Sequence, residues 1–134
     1  MKHINIPASE KSPKVVFEPK KYFFEMEGNS RPENVRDFFY PIIDTLKEHF
    51  DGLIRKANNE DEPEFNFNFK LEYFNSASAK FISDILVIVK NCNENNVKIK
   101  VNWYFEDGDE DMKEVGEDFS DMITFPFNFI MVKR

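Results

Sequence analysis

The sequence predicts an α/β fold in which helices pack on a mixed β-sheet. Three observations carry that expectation. Phe65, Phe67, Phe69, Leu71 and Tyr73 alternate with polar residues, and Val97, Ile99, Val101, Trp103 and Phe105 do the same, which is the period of a half-buried or central strand. Other stretches place apolar residues three and four positions apart, the spacing of an amphipathic helix. The two kinds of segment alternate along the chain, and that order is satisfied by helices layered on a sheet.

The elements follow in order. Lys14 to Phe17 and Tyr22 to Glu27 flank Glu18-Pro19-Lys20-Lys21, where proline pre-sets a turn, so a β-hairpin is expected. Ser30-Arg31-Pro32-Glu33 then offers a capping serine, a proline in the first turn and a glutamate three residues after the cap, the marks of a helix start. From there Val35, Phe38, Phe39, Ile42, Ile43, Leu46 and Phe50 form one apolar face up to Asp51-Gly52, with Pro41 expected to bend the helix. Asn58 to Glu64 reads as a solvated loop within the domain, because the first helix needs the following strands to cover its apolar face. The strand from Phe65 runs directly into a second helical pattern of Phe81, Ile82, Ile85, Leu86, Val89 and Cys92, from about Ala77 to Asn91. After the Val97 strand, a shorter helix is expected around Met112, Val115 and Phe119. Phe125, Phe127, Phe129 and Met131 close the chain with strand period, and Pro126 pushes them toward a sheet edge or an extended tail.

Length and charge narrow the functions open to such a fold. The 134 residues suffice for one domain with a sizeable core and no disulfide. A single cysteine, Cys92, excludes an internal disulfide framework and a multi-cysteine zinc site, and suits a reducing compartment. The opening MKHINIPASEKSPK has neither the apolar stretch nor the cleavage pattern of a secretory signal, and the longest apolar run, Ile85 to Val89, is too short to span a bilayer. A cytoplasmic protein with no membrane contact is expected. The net charge of −7 argues against nucleic acid, whose binding draws on Lys and Arg. That charge is local: Glu106 to Asp121 holds nine acids and one base, Lys113.

Enzyme signatures are sparse. The four glycines stand alone, so there is no phosphate loop, and neither a nucleophile elbow nor a histidine pair occurs. His3 falls in a terminus expected to fray, and His49 lies beside the apolar face of the first helix, where a partly buried histidine is the ordinary reading. Asp107, Asp109 and Asp111 match the first, third and fifth positions of a calcium loop, but Met112 stands where the turn needs glycine and Asp118 where a bidentate glutamate is expected. A solvated turn and an acidic helix start explain those acids better.

The junction Leu71-Glu72-Tyr73-Phe74-Asn75-Ser76-Ala77-Ser78-Ala79-Lys80 is more informative. Asn75 or Ser76 is placed to cap the second helix. A hydroxyl there also sits where free backbone N–H groups and the positive helix end favour a phosphate, so phosphorylation is compatible with the fold and adds about −1.5 to −2 charges.

A strand, Asn-Ser and an amphipathic helix are similar to the phosphorylation site of STAS-type anti-sigma-factor antagonists, which carry Asp-Ser there. Four ordered blocks, Glu27-Gly28-Asn29-Ser30-Arg31-Pro32-Glu33-Asn34, Tyr73 to Lys80, Trp103-Tyr104-Phe105 and Asp109 to Phe119, more closely resemble the SiaC family of bacterial regulatory phosphoproteins, over about Ser12 to Phe127. The resemblance implies a STAS-like single domain over residues 1–134, non-enzymatic and without a cofactor. It implies a HATPase-type serine/threonine kinase that phosphorylates the hydroxyl at the helix start and a PP2C-type phosphatase that removes it. The unmodified form would bind and activate a GGDEF diguanylate cyclase in cyclic-di-GMP signalling, and so control biofilm formation and aggregation. Carried over by position, the acceptor is Ser76, with Ser78 as second candidate, and the partner surface is Asn75, Ser76, Ala77, Ser78 and Lys80. Serine stands here where threonine also occurs in the family pattern, and Ala77 where a second hydroxyl can occur. The residues alone leave open whether a phosphate would release or recruit a partner; the resemblance favours release. Two alternatives remain at this level: a STAS-like antagonist of an anti-sigma factor or another kinase-like ATPase, and a metal-dependent protein using the acidic stretch.

Overall fold

The structure is a computed structural model and describes every residue except Met1, Ala57 and Arg134. Six strands form one sheet in chain order: β1 (Ile4–Ile6), β2 (Lys14–Glu18), β3 (Phe23–Ser30), β4 (Phe65–Phe74), β5 (Ile99–Glu106) and β6 (Asn128–Val132). β1, β2 and β3 run antiparallel to one another, and β3 to β6 are parallel. Parallel neighbours need crossovers, which α1 (Val35–Arg55), α2 (Ser76–Glu94) and α3 (Glu110–Ile123) supply. Successive right-handed crossovers in one direction put all three helices on one face, where α1 packs on α2 and α2 on α3. The mixed sheet with helices packed on it is the architecture expected from the sequence.

The core lies between that helical layer and one face of the sheet. Alternation assigns Val15, Phe17, Phe24, Met26, Phe65, Phe67, Phe69, Val101 and Trp103 to the covered face, and all are buried. From α1 come Phe39, Ile42, Leu46 and Phe50, and from α2 Ile82, Ile85, Leu86 and Val89. Most of the aromatic rings pack edge-on or tilted, as between Phe50 and Phe65 at 4.8 Å, while others, such as Phe39 and Phe81, stack. On α3, Gly116 is buried against Trp103, where a Cβ would lie 2.5 Å from the indole ring, while the indole N–H donates to the Met112 carbonyl at 2.9 Å. Glycine is what lets α3 approach β5 this closely.

Several expectations change on contact with the fold. The hairpin is present, its connection a 3-10 turn over Pro19–Lys21. Ser30 is not a helix cap: it ends β3, pairs with Phe74 of β4 and is fully buried, and α1 begins five residues later, at Val35, with Asn34 as its cap. Strand pairing and burial outweigh the local capping pattern there. α1 runs unbroken through Pro41, which sits on its exposed side. The helix around Met112 is, as expected, the shortest of the three, and the final strand leaves Pro126 outside it and pairs parallel to β5. β1 has no counterpart in the sequence reading, because three residues are too short to show a period.

Candidate functional site

The junction between β4 and α2 is tied together by one backbone carbonyl. At the end of β3, the Ser30 carbonyl accepts from the Asn75 N–H at 3.0 Å and from the Ser78 hydroxyl at 3.0 Å. The Ser30 hydroxyl in turn donates to Ser78 Oγ at 2.8 Å. A register shift between Gly28 and Asn29 brings Ser30 into line with Phe74, and Gly28 has φ +111°, a conformation that a side chain would strain.

Asn75 is the cap of α2. Its side-chain oxygen accepts from the Ser78 N–H at 2.9 Å and its carbonyl from the Ala79 N–H at 2.9 Å, which leaves the Ser76 and Ala77 amides as the open donors of the first turn. Ser76 is the first helical residue, exposed, and its hydroxyl makes no hydrogen bond among the described residues. Ala77 and Lys80 are also exposed. Ser78 is not: it is fully buried in the Ser30 hydrogen-bond pair. The structure thus brings Asn75, Ser76, Ala77 and Lys80 to one surface and turns Ser78 inward.

Charge distinguishes this helix start from the other two. α1 carries Asp37 in its first turn and α3 carries Glu110 and Asp111, whereas the first turn of α2 has no acid. Its positive end is therefore uncompensated by any side chain of its own. Lys80, one turn further on, bonds Asp84 at 2.9 Å and lies over the Phe81 ring, against which Tyr40 of α1 packs edge-on. Beside the junction Tyr73 is half exposed.

The other candidate chemistry is dispersed. Asp109 caps α3, accepting from the Met112 N–H at 3.1 Å, and Glu110 and Asp111 follow in its first turn, so the acidic stretch is a helix start. Among the described residues no three His, Cys, Asp or Glu side chains converge as metal ligands. His49 packs among Phe17, Phe50 and Phe65, and burial lowers its pKa. Burial in the core pushes the Cys92 thiol up to about 12, which suppresses its reactivity.

One cluster was missed in the sequence. On the sheet face away from the helices, Glu25 bonds Lys70 at 2.9 Å and Lys14 at 3.1 Å. Burial pushes the Glu25 carboxyl up, but its hydrogen bonds to Lys70 and Lys14 outweigh that and hold it below the usual carboxylate range. A row of Asn68, Asn102 and Asn128 crosses the same face through side-chain hydrogen bonds. The signal was present, since Glu25 stands between inward Phe24 and Met26.

A mixed sheet covered on one side, with an exposed hydroxyl at an acid-free helix start, defines an α/β protein whose candidate site is a surface rather than a cleft. A family model described as "SiaC family regulatory phosphoprotein" matches residues 6–132. The chain belongs to that family. An uncharacterized protein of Pseudomonas aeruginosa strain UCBPP-PA14 is 24% identical over 127 residues, covering 95% of this chain and 94% of that one. Among solved structures, apo-SiaC from Pseudomonas aeruginosa is similar with a TM-score of 0.78 at 21% identity, covering 98% of both chains. A crystal structure of the diguanylate cyclase SiaD in complex with its activator SiaC from the same organism matches with a TM-score of 0.80 at 21% identity, covering 98% of this chain and 99% of that one.

Proposed function

We propose that this chain is a cytoplasmic, non-enzymatic adaptor, acting as one domain, that binds and activates a diguanylate cyclase and is switched off by phosphorylation of Ser76. The observation that carries the reading is the exposed, unbonded Ser76 hydroxyl at the one α-helix start, among the described residues, without an acid in its first turn. Family membership supports it, as does the solved complex of a similarly folded SiaC with the cyclase SiaD. Among the described residues no helix is long and apolar enough to cross a membrane.

The switch follows from electrostatics. A phosphate on Ser76 meets the open amides of Ser76 and Ala77 and the positive end of α2, so the fold tolerates it. A partner packed on Asn75, Ser76, Ala77 and Lys80 would instead have to bury a dianion. An unpaired buried charge costs roughly 3–5 kcal/mol, or a loss on the order of 10²- to 10⁴-fold in affinity. Release needs no refolding. A HATPase-type serine/threonine kinase would set the state and a PP2C-type phosphatase would reset it. Ser78, the second candidate acceptor, lies out of a kinase's reach in this fold.

The test compares Ser76→Ala and Ser76→Asp for binding to the cognate cyclase and for its turnover. The alanine variant should bind and activate as the unmodified protein does, and the aspartate variant should lose at least about two orders of magnitude in affinity. Equal binding by both variants would sink the switch.

A further inference from the structure

The two edges of the sheet are unlike. β1 has three residues and is followed directly by Pro7, so its short length and the proline both discourage further strand pairing. β6 runs five residues, Asn-Phe-Ile-Met-Val, with no charge and no proline inside it. Its register puts Phe129 and Met131 on the helix face, opposite Trp103 and Phe105, and Ile130 and Val132 on the other face, opposite Tyr104 and Glu106. An edge strand is thus apolar on both faces, with Met131 52% and Val132 43% exposed. Among the described residues nothing pairs with its outer side. A row of free N–H and C=O groups flanked by apolar side chains on both faces is completed by one kind of ligand, another polypeptide strand.

The helix above that edge selects the charge of the strand. Met122 of α3 contacts Ser83 of α2, which marks the α2 side of the helix, and Lys113 reaches over Phe105 on the opposite side. At 100° per residue, Glu110, Glu117 and Asp121 lie nearer to Lys113 than to Met122, on the side of α3 turned away from α2 and toward the β6 edge, and all three are exposed. Three of the nine acids between Glu106 and Asp121 therefore face the open edge against one base, Lys113, while Asp111, Glu114 and Asp118 turn toward the α2 side.

We propose that β6 is a second docking site, where an extended basic segment of a partner protein adds as a seventh strand, its apolar residues covering Met131 and Val132 and its lysines or arginines meeting the carboxylates of α3. The site lies two strands along the sheet from the β4–α2 junction, about 10 Å away, and is independent of the state of Ser76. A second copy of this chain is the poorer occupant, because edge-to-edge pairing would bring two acidic α3 helices together.

The full chain is tested with a fluorescein-labelled heptapeptide alternating lysine and valine, and with its counterpart in which glutamate replaces lysine. The lysine peptide should bind, lose affinity as salt rises, and slow hydrogen exchange at the β6 amides that point away from β5. Glu117→Lys with Asp121→Lys should weaken it by roughly tenfold without moving the thermal midpoint. Met131→Lys, at a half-exposed position, should block pairing in a chain that still folds. Equal binding of the two peptides, undiminished binding by Met131→Lys, or unchanged exchange across residues 128–132 would overturn the proposal. So would a free chain that sediments as a dimer with its β6 amides already protected, which would make the occupant a second copy.

Discussion

At the ends of β3 and β4 the chain enters a helix through a serine and an asparagine, and the two junctions use them differently. In the first, Ser30 still belongs to the strand, its hydroxyl buried against Ser78, and Asn34 caps α1 with the Asp37 N–H at 3.2 Å. In the second, Asn75 caps α2 directly after the strand and Ser76 follows as the first helical residue with its hydroxyl in solvent. The first helix start carries Asp37 and the second carries no acid. What separates the buried Ser30 from the exposed Ser76 here is position relative to the cap: Ser30 precedes it and points into the sheet layer, whereas Ser76 follows it directly and faces water and the open amides. A helix start that already holds a carboxylate has less to offer a phosphate.

Substitutions at the two junctions should separate their roles. The largest effect on stability belongs to the buried serine pair. Ser78→Ala leaves the Ser30 hydroxyl without its acceptor and should cost about 2 kcal/mol, a fall of roughly 5–8 °C in the melting midpoint by calorimetry. Ser30→Ala should cost less, because the Ser78 hydroxyl keeps the Ser30 carbonyl as its acceptor at 3.0 Å. If Ser30→Ala proved the worse of the two, the donor directions drawn here would be reversed. Next come the caps. Asn75→Ala should cost about 1 kcal/mol and Asn34→Ala about half that in chemical denaturation, since Asn34 is exposed and its bond to the Asp37 N–H is the longer. Smallest is Ser76→Ala, expected to change stability by under about 0.5 kcal/mol; a larger loss would mean that the hydroxyl has a structural partner and that the contrast between the junctions fails.

Much of this was legible in the sequence, and what was hidden has specific causes. The alternation from Phe65 and the helical spacing from Val35 and Phe81 reflect faces buried by the same sheet, so period and fold agree. Asn-Ser at a strand end stands where the sequence reading put it, with Asn75 as the cap of α2 and Ser76 as its first residue. Ser30 was misread because Ser-Arg-Pro-Glu satisfies a local rule, while its pairing to Phe74 and its bond to Ser78 come from residues more than forty positions away. Ser78 could have been recognised as buried, since it precedes Ile82 and Ile85 on the apolar stripe of α2. The family resemblance was legible too, and the match over residues 6–132 bears it out. The apolar outer residues of β6 went unnoticed because Ile130 and Val132 fall out of phase with the series Phe125, Phe127, Phe129 and Met131.

Gly116 and Trp103 bear on how motion in this molecule can be seen. Trp103 is the sole tryptophan, fully buried, hydrogen-bonded to the Met112 carbonyl of α3, and packed against a helix that approaches it without an intervening Cβ. Any lifting of α3 from β5 admits water to the indole and breaks its one hydrogen bond. The intrinsic emission of the protein is therefore a single-position gauge of how α3 is seated, and it needs no label to follow the helix that borders the open edge of the sheet.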